Sequence, residues 1–220
     1  AGFDICSWTG NGSAQNISHN LSKVPTMIIV KNRTDAGADW YCYNVHNGNT
    51  HSILLNTSGA KVGAYSDNWN NTTPTSSVFT VGSSNSTGGS SGDNMIAYVF
   101  TDIQGYSKFG SYTGNGNASG PMIFTGFKPA WILIKVTSTS NDWILLDNKR
   151  DTFNVATKKL LANESNAESS DSGVSTDFLS NGFKFRTAGN NVNVSGGTYI
   201  YMAFAESPFV NSSGVPNNAK

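Results

Sequence analysis

Residues 8–12 read WTGNG, and residues 24–31 read VPTMIIVK. Both stretches have a counterpart 104 residues later, where residues 112–116 read YTGNG and residues 128–135 read KPAWILIK. Each copy joins a glycine-rich turn to an apolar run that follows a proline, which is typical of a strand entered from a turn. The spacing predicts that the chain contains one unit of about 104 residues twice.

Apolar positions near the ends of the two copies correspond as well. Residues 95–100 (MIAYVF) align with residues 199–204 (YIYMAF) at the same offset, whereas the loop positions differ between the copies. This is expected if each copy buries its own core. We therefore predict a first domain at residues 1–105, a second domain at residues 106–210 and a polar C-terminal tail at residues 211–220.

The composition favours β-structure. Charged residues make up 13% of the chain, against about 25% in typical soluble domains. The polar surface therefore consists mainly of Asn, Ser, Thr and Gly, which are poor helix formers. Short apolar runs separated by turn signals predict two tandem antiparallel β-sandwich, jelly-roll-like domains. We predict a hairpin turn at residues 9–12, because Asn-Gly accepts positive φ, and one short helix at residues 157–162.

Charge and hydropathy argue against two classes of partner. The 14 basic and 14 acidic residues cancel, so no bulk field attracts nucleic acid. No apolar run approaches the roughly 20 residues that span a bilayer, so we expect no membrane insertion. The two cysteines, Cys6 and Cys42, fall in predicted strands. Two buried thiols are favoured over a disulfide.

Groups suited to catalysis are scarce. A Ser-His-Asp arrangement would have to use His46 or His51, and no Gly-x-Ser-x-Gly elbow precedes a helix. A glycosidase needs two facing carboxylates. The acidic pairs in this chain are better explained as turn residues: Asp35 with Asp39, and Asp147 with Asp151. We expect no enzymatic activity, no cofactor and no metal.

Ligand binding is the better prospect. An aromatic ring among amide and carboxylate groups is typical of a surface that stacks on a sugar. Trp69 lies in such a loop, with the alternative that it closes the core. Trp40 and Trp143 correspond between the copies, which favours core positions for both. The candidate ligand-binding residues, in loops 44–52 and 65–74, are Tyr65, Asp67, Asn68, Trp69, Asn70, His46 and His51.

Several segments resemble a β-rich domain that recurs in bacteriophage tail-fibre and virion proteins. They are residues 107–112 (SKFGSY), 112–116 (YTGNG), 126–135 (GFKPAWILIK), 142–147 (DWILLD) and 205–209 (AESPF). The resemblance implies a virion surface protein, usually oligomeric. It implies no shared receptor residues, and fold-level kinship does not fix function.

We therefore predict a non-enzymatic phage virion protein on the particle surface. A tail fibre or receptor-binding element that contacts host-surface glycan is favoured. The alternatives are a capsid decoration or head-fibre protein and, less favoured, a polysaccharide-degrading fibre. The expected partners are other virion proteins and further copies of the chain, with a trimer favoured.

Overall fold

The computed structural model describes residues 2–208, and this part of the chain divides into two compact units at residues 102 and 103. The sheets are antiparallel and the helices are single turns, so the all-β prediction is confirmed. The unit boundary lies three residues before the predicted one. The predicted tail at residues 211–220 lies outside the described residues.

The first unit contains a six-stranded sheet with the order β1-β8-β3-β4-β5-β6 and a two-stranded sheet, β2-β7. One helical turn, α1, connects β6 to β7. The elements are β1 (Phe3–Thr9), β2 (Gln15–Ser18), β3 (Met27–Asn32), β4 (Tyr41–Asn44), β5 (His51–Leu54), β6 (Val62–Gly63), α1 (Ser66–Trp69), β7 (Val78–Val81) and β8 (Asn94–Phe100).

The second unit contains a six-stranded sheet with the order β14-β13-β12-β11-β17-β9 and a three-stranded sheet, β10-β16-β15. A 3-10 turn spans Ser172–Val174. The other elements are β9 (Ser107–Thr113), β10 (Met122–Phe124), β11 (Pro129–Val136), β12 (Ile144–Asp147), β13 (Lys158–Leu161), β14 (Ser169–Ser170), β15 (Thr176–Leu179), β16 (Gly182–Phe185), α2 (Asn190–Asn193) and β17 (Thr198–Ala205).

The two large sheets have the same strand order. In each unit the first strand pairs with the last, which pairs with the third, and the fourth, fifth and sixth strands follow. The second strand pairs instead with a late strand in the small sheet, β7 or β16. This nesting of early strands with late ones is a jelly-roll feature. The origin of both units from one duplicated sequence stays a prediction.

Each unit buries its core between its large and small sheets. Cys6 and Cys42 are both buried and free, so the prediction of two buried thiols rather than a disulfide is confirmed. The first core comprises Cys6, Ile17, Leu21, Ile28, Val30, Tyr43, Trp69, Phe79, Val81, Met95, Ala97 and Val99. The second comprises Ile123, Phe127, Ile132, Ile134, Val136, Ile144, Leu146, Ala156, Val174, Phe178, Phe183, Phe185, Val192, Tyr199, Tyr201 and Ala203.

Residues 9–12 do not form the predicted hairpin. Since β1 and β2 belong to different sheets, these residues carry the chain from one sheet to the other. A Cβ on Gly10 would lie 2.5 Å from the carbonyl oxygen of Ser90, and a Cβ on Gly114 would lie 2.2 Å from that of Val194. The glycine recurs because the backbone passes against the loop that leads into the last strand, with no room for a side chain.

The predicted helix at residues 157–162 is wrong. Lys158–Leu161 is strand β13, in which Leu161 pairs with Ile144 and Leu160 pairs with Leu145 of β12. The adjacent strand satisfies the backbone hydrogen bonds of this segment. Pairing with a neighbouring strand therefore overrides the local helix preference of its lysine, leucine and alanine residues.

Lys135, near the end of β11, is completely buried. Its ammonium group donates a hydrogen bond to the carbonyl oxygen of Asn141 at 2.5 Å. Lys31 of β3 donates in the same way to the carbonyl oxygen of Ala38. In both units the lysine therefore binds the turn that follows its strand. Burial lowers the pKa of Lys135 from 10.5 to about 8, and the charge of Asp142 opposes this change.

We expect Lys135 to make the free energy of unfolding rise as the pH increases from 8 to 10.5. In this interval the folded chain has lost the Lys135 proton while the unfolded chain keeps it. Stability rises with pH wherever the unfolded state binds more protons. The effect is on the order of 3 kcal/mol, and it should disappear in Lys135→Met when urea denaturation is followed by circular dichroism. Exposed Lys149→Met is the control, and equal pH slopes for wild type and Lys135→Met would contradict the prediction.

Candidate functional site

Trp69 is a core residue, so the expectation that it stacks on a sugar is wrong. The indole is 1% exposed, and its Nε1 donates to the Oγ of Ser52 at 2.8 Å. Its ring meets Tyr43 edge-on, with centroids 5.7 Å apart. The single turn α1 directs the ring inward, and Ser52 on β5 satisfies the indole N–H. The alternative, that Trp69 closes the core from a loop, is the correct one.

Asn68 has a structural role as well. It is buried, its Nδ2 donates to Ser52 Oγ at 3.3 Å, and its carbonyl oxygen accepts from the N–H of Gly82 at 2.8 Å and the hydroxyl of Thr87 at 2.9 Å. These bonds tie α1 to β5 and to the segment after β7. The amide of Asn68 is therefore committed to the fold and does not face a ligand.

The other predicted site residues stay near the surface. Tyr65 is 52% exposed, Asp67, Asn70 and His46 are exposed, and His51 is half-buried. The structure also joins the two predicted loops: Asn49 Nδ2 donates to Asn71 O at 2.9 Å, and the N–H of Tyr65 donates to Thr50 O at 3.0 Å. Loops 44–52 and 65–74 thus form one surface. The predicted sugar-stacking ring, Trp69, is buried beneath it and is not part of it.

A different aromatic surface lies on the outer face of the first large sheet. Trp40 and Tyr98 line a cavity of about 320 Å³, with ring centroids 6.4 Å apart and planes 19° apart. We call this cavity the ring cleft. Its lining comprises Lys31, Asn32, Arg33, Ala36, Trp40, Ile96 and Tyr98.

The aromatic surface extends beyond the ring cleft. The ring centroids of Tyr98 and Phe3 are also 6.4 Å apart, with the ring planes 7° apart. The ring centroids of Phe3 and Phe100 are 4.9 Å apart. Phe3 and Ile5 are 44% and 54% exposed. β1, β8 and β3 lie side by side, so their outward side chains form one continuous apolar face.

Trp40 corrects a second expectation. Trp143 is buried, as predicted, whereas Trp40 is only half-buried. The backbone of Trp40 is held firmly: its N–H donates to Asn56 Oδ1 at 2.9 Å, and its carbonyl oxygen accepts from the N–H of Leu55 at 3.0 Å. The sequence of β8 contains a signal for this surface. Ile96 and every second residue after it are apolar, and these side chains lie on the face opposite the core.

The polar side of the ring cleft is largely preorganised. Asn32 is fully buried, donating to Asp93 Oδ2 at 2.7 Å and accepting the N–H groups of Thr34 and Asp35 at 2.9 Å each. Arg33 is exposed, and its backbone N–H donates to the carbonyl oxygen of Asn94 on β8. A rigid polar strand end thus lies beside the aromatic rings.

A second cavity, of about 340 Å³, lies in the second unit. Phe153, 85% exposed, contributes to its lining, and Lys128 forms an ion pair with Glu206 at 2.6 Å. Two lysines and two carboxylates line it, so its charges balance. The lining residues are Lys128, Asn148, Lys149, Asp151, Thr152, Phe153, Asn154, Phe178 and Glu206.

The acidic pairs of the sequence hold turns and loops, as predicted from the sequence. Asp35 accepts the N–H of Gly37 at 2.8 Å, and Asp39 accepts the amide of Asn56 at 2.8 Å. Asp151 accepts two backbone N–H groups at 2.7 Å each. At Asp147, burial raises the pKa, but hydrogen bonds from the backbone and side chain outweigh it and lower the pKa overall. Within residues 2–208, no group of His, Cys, Asp or Glu side chains is arranged to hold a metal ion.

We expect Trp69→Ala to destabilise the first unit by about 3–5 kcal/mol, since it removes a large buried ring and leaves a cavity. Trp69→Phe, which keeps a ring but loses the bond to Ser52, should cost less. Tyr65→Ala, at an exposed position four residues away, should change stability by less than about 0.5 kcal/mol. Urea denaturation of the three variants tests this order. Equal stability of Trp69→Ala and Tyr65→Ala would show that Trp69 does not support the core.

Comparison with known proteins gives a family and no assigned activity. None of the helices among the described residues has the length and apolarity to cross a bilayer. Neither the curated proteins nor the solved structures include a match to the chain. One family model, described as a domain of unknown function (DUF7483), matches residues 1–208. The chain therefore belongs to the DUF7483 family.

Proposed function

We propose that the chain is a non-enzymatic structural protein of a bacteriophage virion, a tail fibre or receptor-binding element that contacts glycan on the host surface. The resemblance of residues 126–135 and 142–147 to virion domains supports the virion assignment. The double β-sandwich also suits it, since strands with paired backbones form a stiff scaffold whose loops and sheet faces can vary.

The ring cleft is the observation that carries the glycan assignment. A sugar ring offers an apolar C–H face that packs on an aromatic ring and hydroxyl groups that need polar partners. Trp40 and Tyr98 supply the near-parallel rings, and exposed Arg33, directly after β3, supplies a polar group beside them. Phe3 continues the aromatic surface next to Tyr98, so several sugar units of one chain can contact the sheet.

Contacts with other virion proteins and with further copies of the chain are part of this proposal. β10 is an edge strand of its sheet, and its Met122 and Phe124 are 47% and 67% exposed. Edge strands with exposed apolar side chains are suited to protein contacts. A trimer is the favoured assembly.

We expect the protein to bind a subset of glycans on an array of bacterial surface glycans, and Trp40→Ala to weaken that binding about two- to tenfold. This range follows from the 0.5–1.5 kcal/mol of an aromatic contact. Tyr65→Ala, on the loop surface predicted from sequence, is the matched control and should bind like wild type. Circular dichroism should show that both variants are folded. Loss of binding in Tyr65→Ala but not in Trp40→Ala would move the site to loops 44–52 and 65–74.

Three further results would change the proposal. Absence of binding to every glycan would contradict the receptor role. Release of reducing ends from host polysaccharide would favour the polysaccharide-degrading fibre. Electron microscopy of labelled particles separates the remaining two assignments, because label on the tail supports a fibre and label spread over the head supports a capsid decoration or head-fibre protein.

A further inference from the structure

The lining of the ring cleft carries positive charge without a matching negative charge. It includes two basic side chains, Lys31 and Arg33, and no acidic one. The ammonium of Lys31 is committed to the fold, because it donates to the carbonyl oxygens of Asp35 and Ala38. Arg33 is therefore the basic group that remains available to a ligand.

Arg33 differs from the other two arginines of the chain. Arg150 forms ion pairs with Asp147 and Glu168, and Arg186 lies 3.6 Å from Asp177. Within residues 2–208, the guanidinium of Arg33 has neither a hydrogen bond nor an ion pair, although its backbone is fixed by β8. Its five N–H donors are thus unpaired beside an aromatic surface.

Asp35 is two residues from Arg33, and Asp93 precedes the Asn94 that accepts the Arg33 backbone N–H, but neither carboxylate pairs with the guanidinium. Asp35 accepts from the N–H of Gly37 through one oxygen and from the amide of Asn85, at 2.7 Å, through the other. Asp93 accepts from Asn32 at 2.7 Å and from the N–H of Ser90 at 3.0 Å. Both carboxylates are held by amide donors, and neither forms an ion pair with Arg33, so its N–H donors are available to an incoming anion.

We propose that the ring cleft selects acidic glycans, in which a sugar ring packs on Trp40 and Tyr98 while its carboxylate or phosphate accepts hydrogen bonds from Arg33. This inference rests on the proposed glycan-binding function and specifies its ligand. A guanidinium binds both anions through two parallel N–H···O bonds, a geometry that a lysine ammonium does not reproduce.

The second unit provides a comparison within the chain. At the offset of 104 residues, Arg33 corresponds to Thr137 and Tyr98 to Met202, and both are buried. Trp40 corresponds to Trp143, which is 1% exposed. At these three positions the second unit has neither a basic side chain nor an accessible ring, so acidic-glycan binding is expected of the first unit.

The test uses the full chain and two pairs of polymers that differ in charge. Polygalacturonate and its methyl ester test the carboxylate, and a mannan that carries phosphomonoester groups, before and after phosphatase treatment, tests the phosphate. Isothermal titration should show that wild type binds at least one acidic form about tenfold or more tightly than its neutral counterpart. Arg33→Gln should abolish this preference, Arg33→Lys should restore part of it, and Arg186→Gln should leave it unchanged. Added salt should reduce the preference in wild type.

The contrary outcomes separate this inference from the proposed function. If only neutral glycans on the array bind, and binding depends on Trp40, the glycan-binding function stands and selection of acidic glycans is overturned. The same holds if an acidic form is preferred equally by wild type and Arg33→Gln. If no glycan of either charge binds, the proposed function fails, and the inference fails with it.

Discussion

The last strand of each unit holds that unit together, because it lies between the first and third strands of the large sheet. β8 pairs with β1 over seven residues and with β3 over six, and β17 takes the same place between β9 and β11. The paired residues of β1 and β8 are more than 80 positions apart in the sequence. Pairing them therefore costs chain entropy, which is offset only when the contacts of the sheet have formed. The glycines at positions 10 and 114 let the backbone approach the loop that leads into this strand.

A central last strand with two apolar faces explains both the core and the candidate site. The inner residues of β8, including Ala97, pack under the small sheet, while Tyr98 faces outward. Corresponding pairs of residues in the two units differ in side-chain size. In the first unit, small Cys6 lies opposite Ala97. In the second, Gly110 lies opposite Tyr201, and a Cβ on Gly110 would be 2.5 Å from the Tyr201 ring. The units therefore keep one strand order with different side-chain packing, as close-packed interiors require.

Much of the fold could be predicted from the sequence, and the candidate site could not. The apolar runs that follow a proline located β3 and β11, and the aligned apolar residues 95–100 and 199–204 coincide with β8 and β17. The same reasoning failed at residues 157–162, where pairing with β12 decides the structure. It also placed Trp40 in the core, and for Trp69 it left open a sugar-binding position and a core position. Neither a loop position nor a correspondence between the two copies shows which side chains another layer covers.

The sequence by itself determined the β-class, the two similar units and the positions of most strands, because these follow from local periodicity, turn chemistry and a composition poor in helix formers. The tertiary structure decided which aromatic residues remain accessible. Ser52 receives the indole N–H of Trp69 and allows that ring to be buried, whereas Trp40 lies on the outer face of the sheet beside Tyr98. The tertiary structure also decided that Arg33, alone among the three arginines, has no carboxylate partner among residues 2–208. Burial and pairing depend on residues distant in sequence, so only the assembled sheets could settle them.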